Sequence, residues 1–538
     1  MKDLFARPER ASAARRVILA AVSALALQGG GALAQTSAYS QSIAQVAAEA
    51  PALAEFYRAT DYAPLWTGED SLARRSALFA ALESAEAHGL PASRYDVAGL
   101  KAALRDLQTE RERGRLEARM SEAFLAYARD MRNGVLVPSE VDAGIVREIA
   151  SVDDLALIRG IATAEPVAYL RALAPSDPRY TSLMKARLDL LRVIGDGGWG
   201  PAIEGRTLAP GDSGPEVVAL RDRLIAMGYL RPTAVQGYGP EIVRAIQAFQ
   251  IDHGITADGT AGEGTIAEIN VSPEERLRSV TVALERMRWL HGTELGRRHI
   301  WVNLPDFTAK IIDDGRVTFE TVTVVGMNQA DRRSPEFSDK MEFMVINPTW
   351  NVPRSITVKE YLPMLQKNPN AAGHLRIVDR NGRLVDRAAV DFTQFTARNF
   401  PFSMSQPPSD GNALGQVKFM FPNQYNIYLH DTPQKALFGK EVRAFSHGCI
   451  RLGRPFEFAY ALLARQTDNP EEVFQTSLNN RAEHPLPLEE HVPVHLVYFT
   501  AFPDQKGKVE YRRDVYGRDA RIFDALQAAG VELPGVQG

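Results

Sequence analysis

Three changes of pattern along the chain predict a multidomain α+β protein. Apolar residues recur at helical spacing from about 51 to 200, a compact three-helix pattern fills about 208–270, and from about 299 the period becomes the alternation of strands. A chain of 538 residues has room for three or four domains at roughly 150 residues each. Its composition, 45% hydrophobic and 24% charged, supplies several cores. A formal net charge of −4, with no basic stripe interleaved with aromatics, argues against a general nucleic-acid binder.

The chain opens with an export pattern. Arg7, Arg10, Arg15 and Arg16 precede the apolar run "VILAAVSALAL" (17–27), and the small residues Ala32 and Ala34 place cleavage before Gln35. Residues 1–34 are therefore expected to be a signal peptide. The run is shorter than the about 20 apolar residues of a membrane span. No stable span is expected after cleavage, and the mature chain is expected beyond the inner membrane. Residues 35–50 are rich in Ala, Ser and Gln and read as a flexible N-terminus.

Residues 51–207 read as a helical scaffold. "LAEFYRATDYAPLW" places Phe56, Tyr57 and Trp66 in its core, and "SALFAALESAEAHGL" stops at His88-Gly89, a helix C-cap signal. "MSEAFLAYARDM" and "YTSLMKARLDLLRVI" are further amphipathic helices. Residues 208–271 form the three-helix unit, with Val218, Leu220, Leu224 and Met227 along its first helix and Ile242, Ile246 and Phe249 along its second. Residues 272–298 form a linking helix, opened by Ser272, Pro273 at the first helical position and Glu275 as a capping box. Residues 299–525 form a β-rich domain. "TAKIIDDGRVTFETVTVVG" alternates around an Asp-Gly hairpin turn, and "EFMVINPTWNV", "QVKFMFPNQYNIYLHD" and "VPVHLVYFTAF" are further strands. The strand pattern breaks at 356–415, an insertion of the length expected of a lid or binding loop. Residues 526–538 read as a tail.

Within the β domain lies "RAFSHGCIRL" (443–452), which holds Cys449, the single cysteine of the sequence. An exported chain with one cysteine cannot form an internal disulfide. The thiol is an intermolecular bridge, a reactive nucleophile or a buried small hydrophobe. A thiol attacks well as a thiolate, which calls for a base or positive charge nearby. His447 stands two residues before Cys449, and His430 ends a strand from which it can reach across. Asp431, through its carboxylate or its backbone carbonyl, is a candidate to orient the imidazole. Gly448 permits a tight turn whose N–H groups converge on one spot, as an oxyanion hole requires. Nucleophile, base, orienter and oxyanion donors together specify acyl transfer. A zinc site from His430, His447 and Cys449 lacks a paired-ligand spacing, so no metal or cofactor is expected. His253, His291, His299, His374, His484, His491 and His495 have no partner pattern.

These residues resemble the L,D-transpeptidases with a YkuD-type catalytic domain. His430 is followed by fifteen residues and then by Ser446-His447-Gly448-Cys449-Ile450-Arg451, the signature of that family. The unit at 208–271, with "DSGPEVVALRDRL", "AIQAFQ" and "GITADGTAGEGTI", is similar to the peptidoglycan-binding domain type 1. Helical scaffold, binding module and β-rich domain together resemble the large periplasmic members. The resemblance implies that Cys449 attacks a peptidoglycan tetrapeptide stem and releases D-alanine. The acyl group then passes to the side-chain amine of a diaminopimelate on another stem, giving a 3→3 cross-link. It implies His430 as general base, the Asp431 carbonyl as orienter, and the amides of Gly448 and Cys449 as oxyanion donors. Ser446, His447, Arg451, Arg443, Asn347, Trp350 and Asn412 are expected around the substrate, with the two arginines holding carboxylates or bracing the turn. It further implies the periplasm as location, stem peptides and glycan as partners, carbapenem-type β-lactams as inhibitors, and 356–415 as a lid. Water as acceptor would give an L,D-carboxypeptidase, and a protein amine would give attachment of an envelope protein to the wall. A wall-binding protein with a decayed site is the non-enzymatic alternative.

Overall fold

The computed structural model describes residues 37–205 and 207–533. The predicted signal peptide and its cleavage site lie outside the described residues. No helix among the described residues is long and apolar enough to cross a membrane.

The segment 35–50, expected to be flexible, folds instead from residue 38. Ser37 caps the helix Ala38–Val46, its Oγ accepting from Ser40 N at 3.1 Å. Tyr39 and Ile43, one turn apart, form a narrow apolar stripe, and both are buried. That stripe packs on the 24-residue helix Glu110–Asn133. Contact is close because Gly114 has no side chain: a Cβ there would stand 2.3 Å from the Tyr39 carbonyl oxygen. Two apolar anchors outweigh polar neighbours, which composition alone conceals. Phe56, Tyr57 and Trp66 are buried in the same scaffold core.

The three-helix unit comprises Pro215–Ala226, Pro240–Asp252 and Glu263–Ile269. Its first helix buries Val217 with Leu220 and Leu224, and Val218 lies only half-buried. The inward stripe therefore runs i, i+3, i+7 from Val217, one residue earlier than expected.

The linking helix Pro273–Trp289 has the predicted cap: Ser272 Oγ accepts from Glu275 N at 3.2 Å, and Glu275 Oε2 accepts from Ser272 N at 3.0 Å. It is a central strut, buried on nearly every side. Arg288 donates to the His88 carbonyl of the scaffold at 2.9 Å, while Arg286 pairs with Glu336 at 2.6 Å and Asp519 at 2.9 Å on the other side. The tail expected from 526 is also docked. The helix Arg518–Ala528 crosses that boundary, and Leu526 and Val531 are buried against the strut.

The β domain contains β1 (Arg298–Asn303), β2 (Thr308–Asp313), β3 (Arg316–Gly326) and β4 (Phe337–Ile346). After the insertion come β8 (Val417–Met420), β9 (Leu429–His430), β10 (Ala444–Ser446), β11 (Ile450–Leu452) and β12 (His484–Val497). They form one sheet in the order β10-β3-β11-β9-β8-β4-β12-β1-β2, and β2 also pairs with β3, so the sheet closes on itself around an apolar core. The insertion adds β5 (Trp350–Asn351), β6 (Arg376–Val378) and β7 (Ser403–Gln406), paired as β5-β7-β6. It has a core of its own, built on Leu362, Leu365, Phe392 and Phe400.

Candidate active site

Strand register assembles the site. β11 runs parallel to β9 with Ile450 opposite Leu429 and Arg451 opposite His430. Leu429 and Ile450 are fully buried in the core. Side chains alternate across a sheet, so Tyr428 and His430 share the other face with Cys449 and Arg451. His430 and Cys449, separated by eighteen residues in sequence, thus become neighbours in space.

The turn that carries Cys449 is tied from inside and from below. Gly448 has φ +115°, where a Cβ would also stand 3.2 Å from Ile427 Cδ1, so the position suits glycine. Ser446 Oγ accepts from Gly448 N at 3.1 Å and donates to the Cys449 carbonyl at 2.6 Å. Ser334 Oγ donates to the Gly448 carbonyl at 2.6 Å, and Met327 N donates to the Ser446 carbonyl at 2.9 Å. Tyr516 locks Ser334, accepting from its N–H at 3.3 Å.

Cys449 Sγ donates to the Asn426 carbonyl at 3.5 Å. Burial raises the thiol to about 11, against the Tyr428 hydrogen bonds and the Arg451 charge, which favour the thiolate. The ring of Tyr428 lies 5.6 Å from that of His430. His430 is 4% exposed, and its Nδ1 hydrogen-bonds the Asp431 carbonyl. Burial and the Arg451 charge hold its pKa down to about 3, despite the carbonyls of Asp431 and Leu414. Near neutral pH the site therefore holds a neutral thiol and a neutral imidazole. The Nδ1 contact to a carbonyl leaves Nε2 as the nitrogen with the lone pair. Among the described residues no group of acids, histidines and cysteine is arranged to hold a metal ion.

Residues 297–476 match the L,D-transpeptidase catalytic domain family, 51–186 the Scaffold domain, and 213–269 a family described as "Putative peptidoglycan binding domain". Residues 297–476 are thus similar to an L,D-transpeptidase catalytic domain. A curated relative from Haemophilus influenzae (strain ATCC 51907 / DSM 11121 / KW20 / Rd), named "Putative L,D-transpeptidase", is 33% identical over 225 residues. The match covers 41% of this chain and 45% of that relative, so the chain spans under half of its length. Two solved L,D-transpeptidases, from Xylanimonas cellulosilytica DSM 15894 and Stackebrandtia nassauensis, are each 15% identical with TM-scores of 0.17 and 0.21. Each covers 55% of this chain, over 98% and 96% of its own length.

The transpeptidase domain sorts the expected substrate contacts by what each side chain already holds. Arg451 shares the face of the thiol and donates to Gln434 Oε1 at 2.6 Å. Arg443 instead braces the strands, donating to the carbonyls of Thr323, Lys440 and Phe307 and lying over the Phe307 ring. Ser446 is 2% exposed and committed to the turn, so it does not face substrate. The Gly448 amide, expected as an oxyanion donor, is taken by Ser446 Oγ. Asn347 donates to the Leu478 carbonyl at 2.9 Å and, through the carbonyls of Ser477 and Ala482, caps the end of the helix Pro470–Asn479. Asn412 is fully buried and donates to the carbonyls of Pro348, Gln406 and Pro407. Trp350 packs in the insertion core, its ring 6.3 Å from that of Tyr361. These three are braces because a buried amide or indole goes to the nearest backbone acceptor or core. His447 leaves the turn sideways, its Nε2 2.6 Å from Glu360 Oε1 of the insertion.

Sequence reasoning missed Tyr428, Ser334 and Glu360. Tyr428 was accessible to it: two residues before His430 on a strand means the same face. Ser334 and Glu360 lie 114 and 87 residues from their partners, and no local pattern marks them.

Proposed function

We propose that the chain is a peptidoglycan L,D-transpeptidase acting through a Cys449 thioacyl intermediate. The observation that carries this reading is the thiol on a braced glycine turn, one strand from a buried neutral imidazole whose Nδ1 is tied to a backbone carbonyl. His430 Nε2 takes the thiol proton as Sγ attacks the carbonyl of the third stem residue, and the imidazolium returns it to the departing D-alanine amine. The diaminopimelate side-chain amine of an acceptor stem then attacks the thioester, closes a 3→3 cross-link and frees the thiol. With the Gly448 amide spent on Ser446, the Cys449 amide is the oxyanion donor of the turn. Asp431 orients His430 through its carbonyl, and Arg451 supplies positive charge to the thiolate. The module at 213–269 holds glycan, carbapenem-type β-lactams acylate Cys449, and the protein works in the periplasm after loss of residues 1–34.

The test is a product assay by mass spectrometry. The mature protein and Cys449→Ala are incubated with disaccharide-tetrapeptide from a diaminopimelate-type wall. Cross-linked dimer from the wild type alone is the expected result. Tripeptide alone would replace the reading with L,D-carboxypeptidase. No product and no carbapenem adduct would leave a wall-binding protein.

A further inference from the structure

The insertion reaches the catalytic turn through Glu360. This residue sits in a π-helical turn, Thr357–Tyr361, a wide geometry often found at functional positions. One oxygen, Glu360 Oε1, meets His447 Nε2 at 2.6 Å and Arg332 Nη2 at 2.7 Å. Next to it, Lys359 pairs with Asp331. Two ion pairs thus strap the insertion to the segment 327–334, the same segment that holds the turn through Met327 and Ser334.

Folding of the turn does not need this contact. Ser446, Ser334 and Met327 already bond its backbone. Nor does stability account for it: the side chains of His447 and Glu360 are 32% and 34% exposed, and solvent screens so exposed a pair to little net gain. What the contact fixes is one ring, two residues from the nucleophile. The partner comes from a body with its own core and sheet, so the contact exists only when that body is seated.

We propose that Glu360 is a positioning residue for the transpeptidase domain. By accepting from Nε2 it sets the orientation and tautomer of His447, and so makes seating of the insertion a condition for acylation of Cys449. The proposal rests on the thioacyl reading given above. A double-mutant cycle on the full mature chain tests it, with acyl-enzyme formation from tetrapeptide followed by mass spectrometry. Glu360→Ala is expected to slow acylation about tenfold or more. Glu360→Gln keeps an acceptor oxygen and should recover most of that loss, and it also serves if the alanine variant fails to fold. In a His447→Ala background, which has no donor toward Glu360, Glu360→Ala should have no further effect, because its route to the thiol is already cut. Equal slowing in both backgrounds, or none in either, overturns the proposal. A wild type that tetrapeptide does not acylate would sink the functional reading instead. The same cycle is then read from the rate of Cys449 alkylation by iodoacetamide, and the same two outcomes decide.

Discussion

Tyr428 stands beside the thiol because Ile450 pairs with Leu429, which sets the preceding residue of each strand side by side. Its hydroxyl favours the thiolate, against the burial that raises the thiol to about 11. Removing that hydroxyl therefore moves the thiol pKa further up. A hydrogen bond to a charged group is worth about 1.5–3 kcal/mol, or roughly tenfold and more in thiolate population. Tyr428→Phe is expected to cut the rate of iodoacetamide alkylation of Cys449 about tenfold at pH 8.5. An unchanged rate would show that the hydroxyl does not reach the thiolate. That Cys449 and His430 lie close together was legible in the sequence, since the spacing of His430 from Ser-His-Gly-Cys places them on paired strands. The amide and indole candidates were not. Asn347, Trp350 and Asn412 differ from substrate contacts only in what surrounds them, and all three are spent on the protein itself.

At the scale of elements, the strand alternation, the Asp314-Gly315 turn between β2 and β3, and the capping box of Pro273–Trp289 were all readable, because each depends on neighbours within a few residues. The role of that helix was not readable. Its sequence alternates charge and apolar residues as a surface helix does, yet Arg286 and Arg288 are buried. The charges find partners far along the chain: Glu336 takes Arg286 at 2.6 Å and Arg518 at 3.2 Å. Glu336 is 2% exposed, so deleting its carboxylate leaves Asp519 as the remaining acid for Arg286 and Asp142 as that for Arg518, in a dry interface. Removing one partner of a buried pair costs about 3–5 kcal/mol. With those acids in place, Glu336→Ala should lower stability by up to that amount in denaturant unfolding. The double variant Glu336→Ala with Arg286→Met should lose less than the sum of the two single variants. Additive losses would mean that the pair is not coupled.

For the whole molecule, buried histidines set an acid limit. His253, His430 and His495 are each 5% exposed or less. His253 stacks on Phe249 with ring centroids 3.8 Å apart, and His495 hydrogen-bonds Ser338 Oγ at 2.8 Å and the Leu295 carbonyl at 2.9 Å. Burial holds all three below the ordinary histidine range, to about 3 for His430, to about 4 for His495 and well below the usual value for His253. In the unfolded chain each takes up a proton near pH 6.5, while in the fold it stays neutral. The unfolded state then binds more protons, so stability falls as pH drops through 6.5 toward 4. Each such proton contributes about 1.4 kcal/mol per pH unit. Asp519 works in the opposite sense. Burial pushes its carboxyl up to about 7, so the fold gains one proton there as pH falls and offsets one histidine. His88, which burial holds down to about 4, and His291 and His299, which burial also lowers, act in the same sense as the three, so protons taken up on unfolding outnumber the one that Asp519 offsets. The thermal midpoint is therefore expected to fall by several degrees between pH 7.5 and pH 5.0, and by less in His495→Gln, which has no proton to exclude. A midpoint that holds or rises at pH 5.0 would mean that these rings are protonated in the fold, and His430 would then lack the lone pair on which its proposed role as base depends.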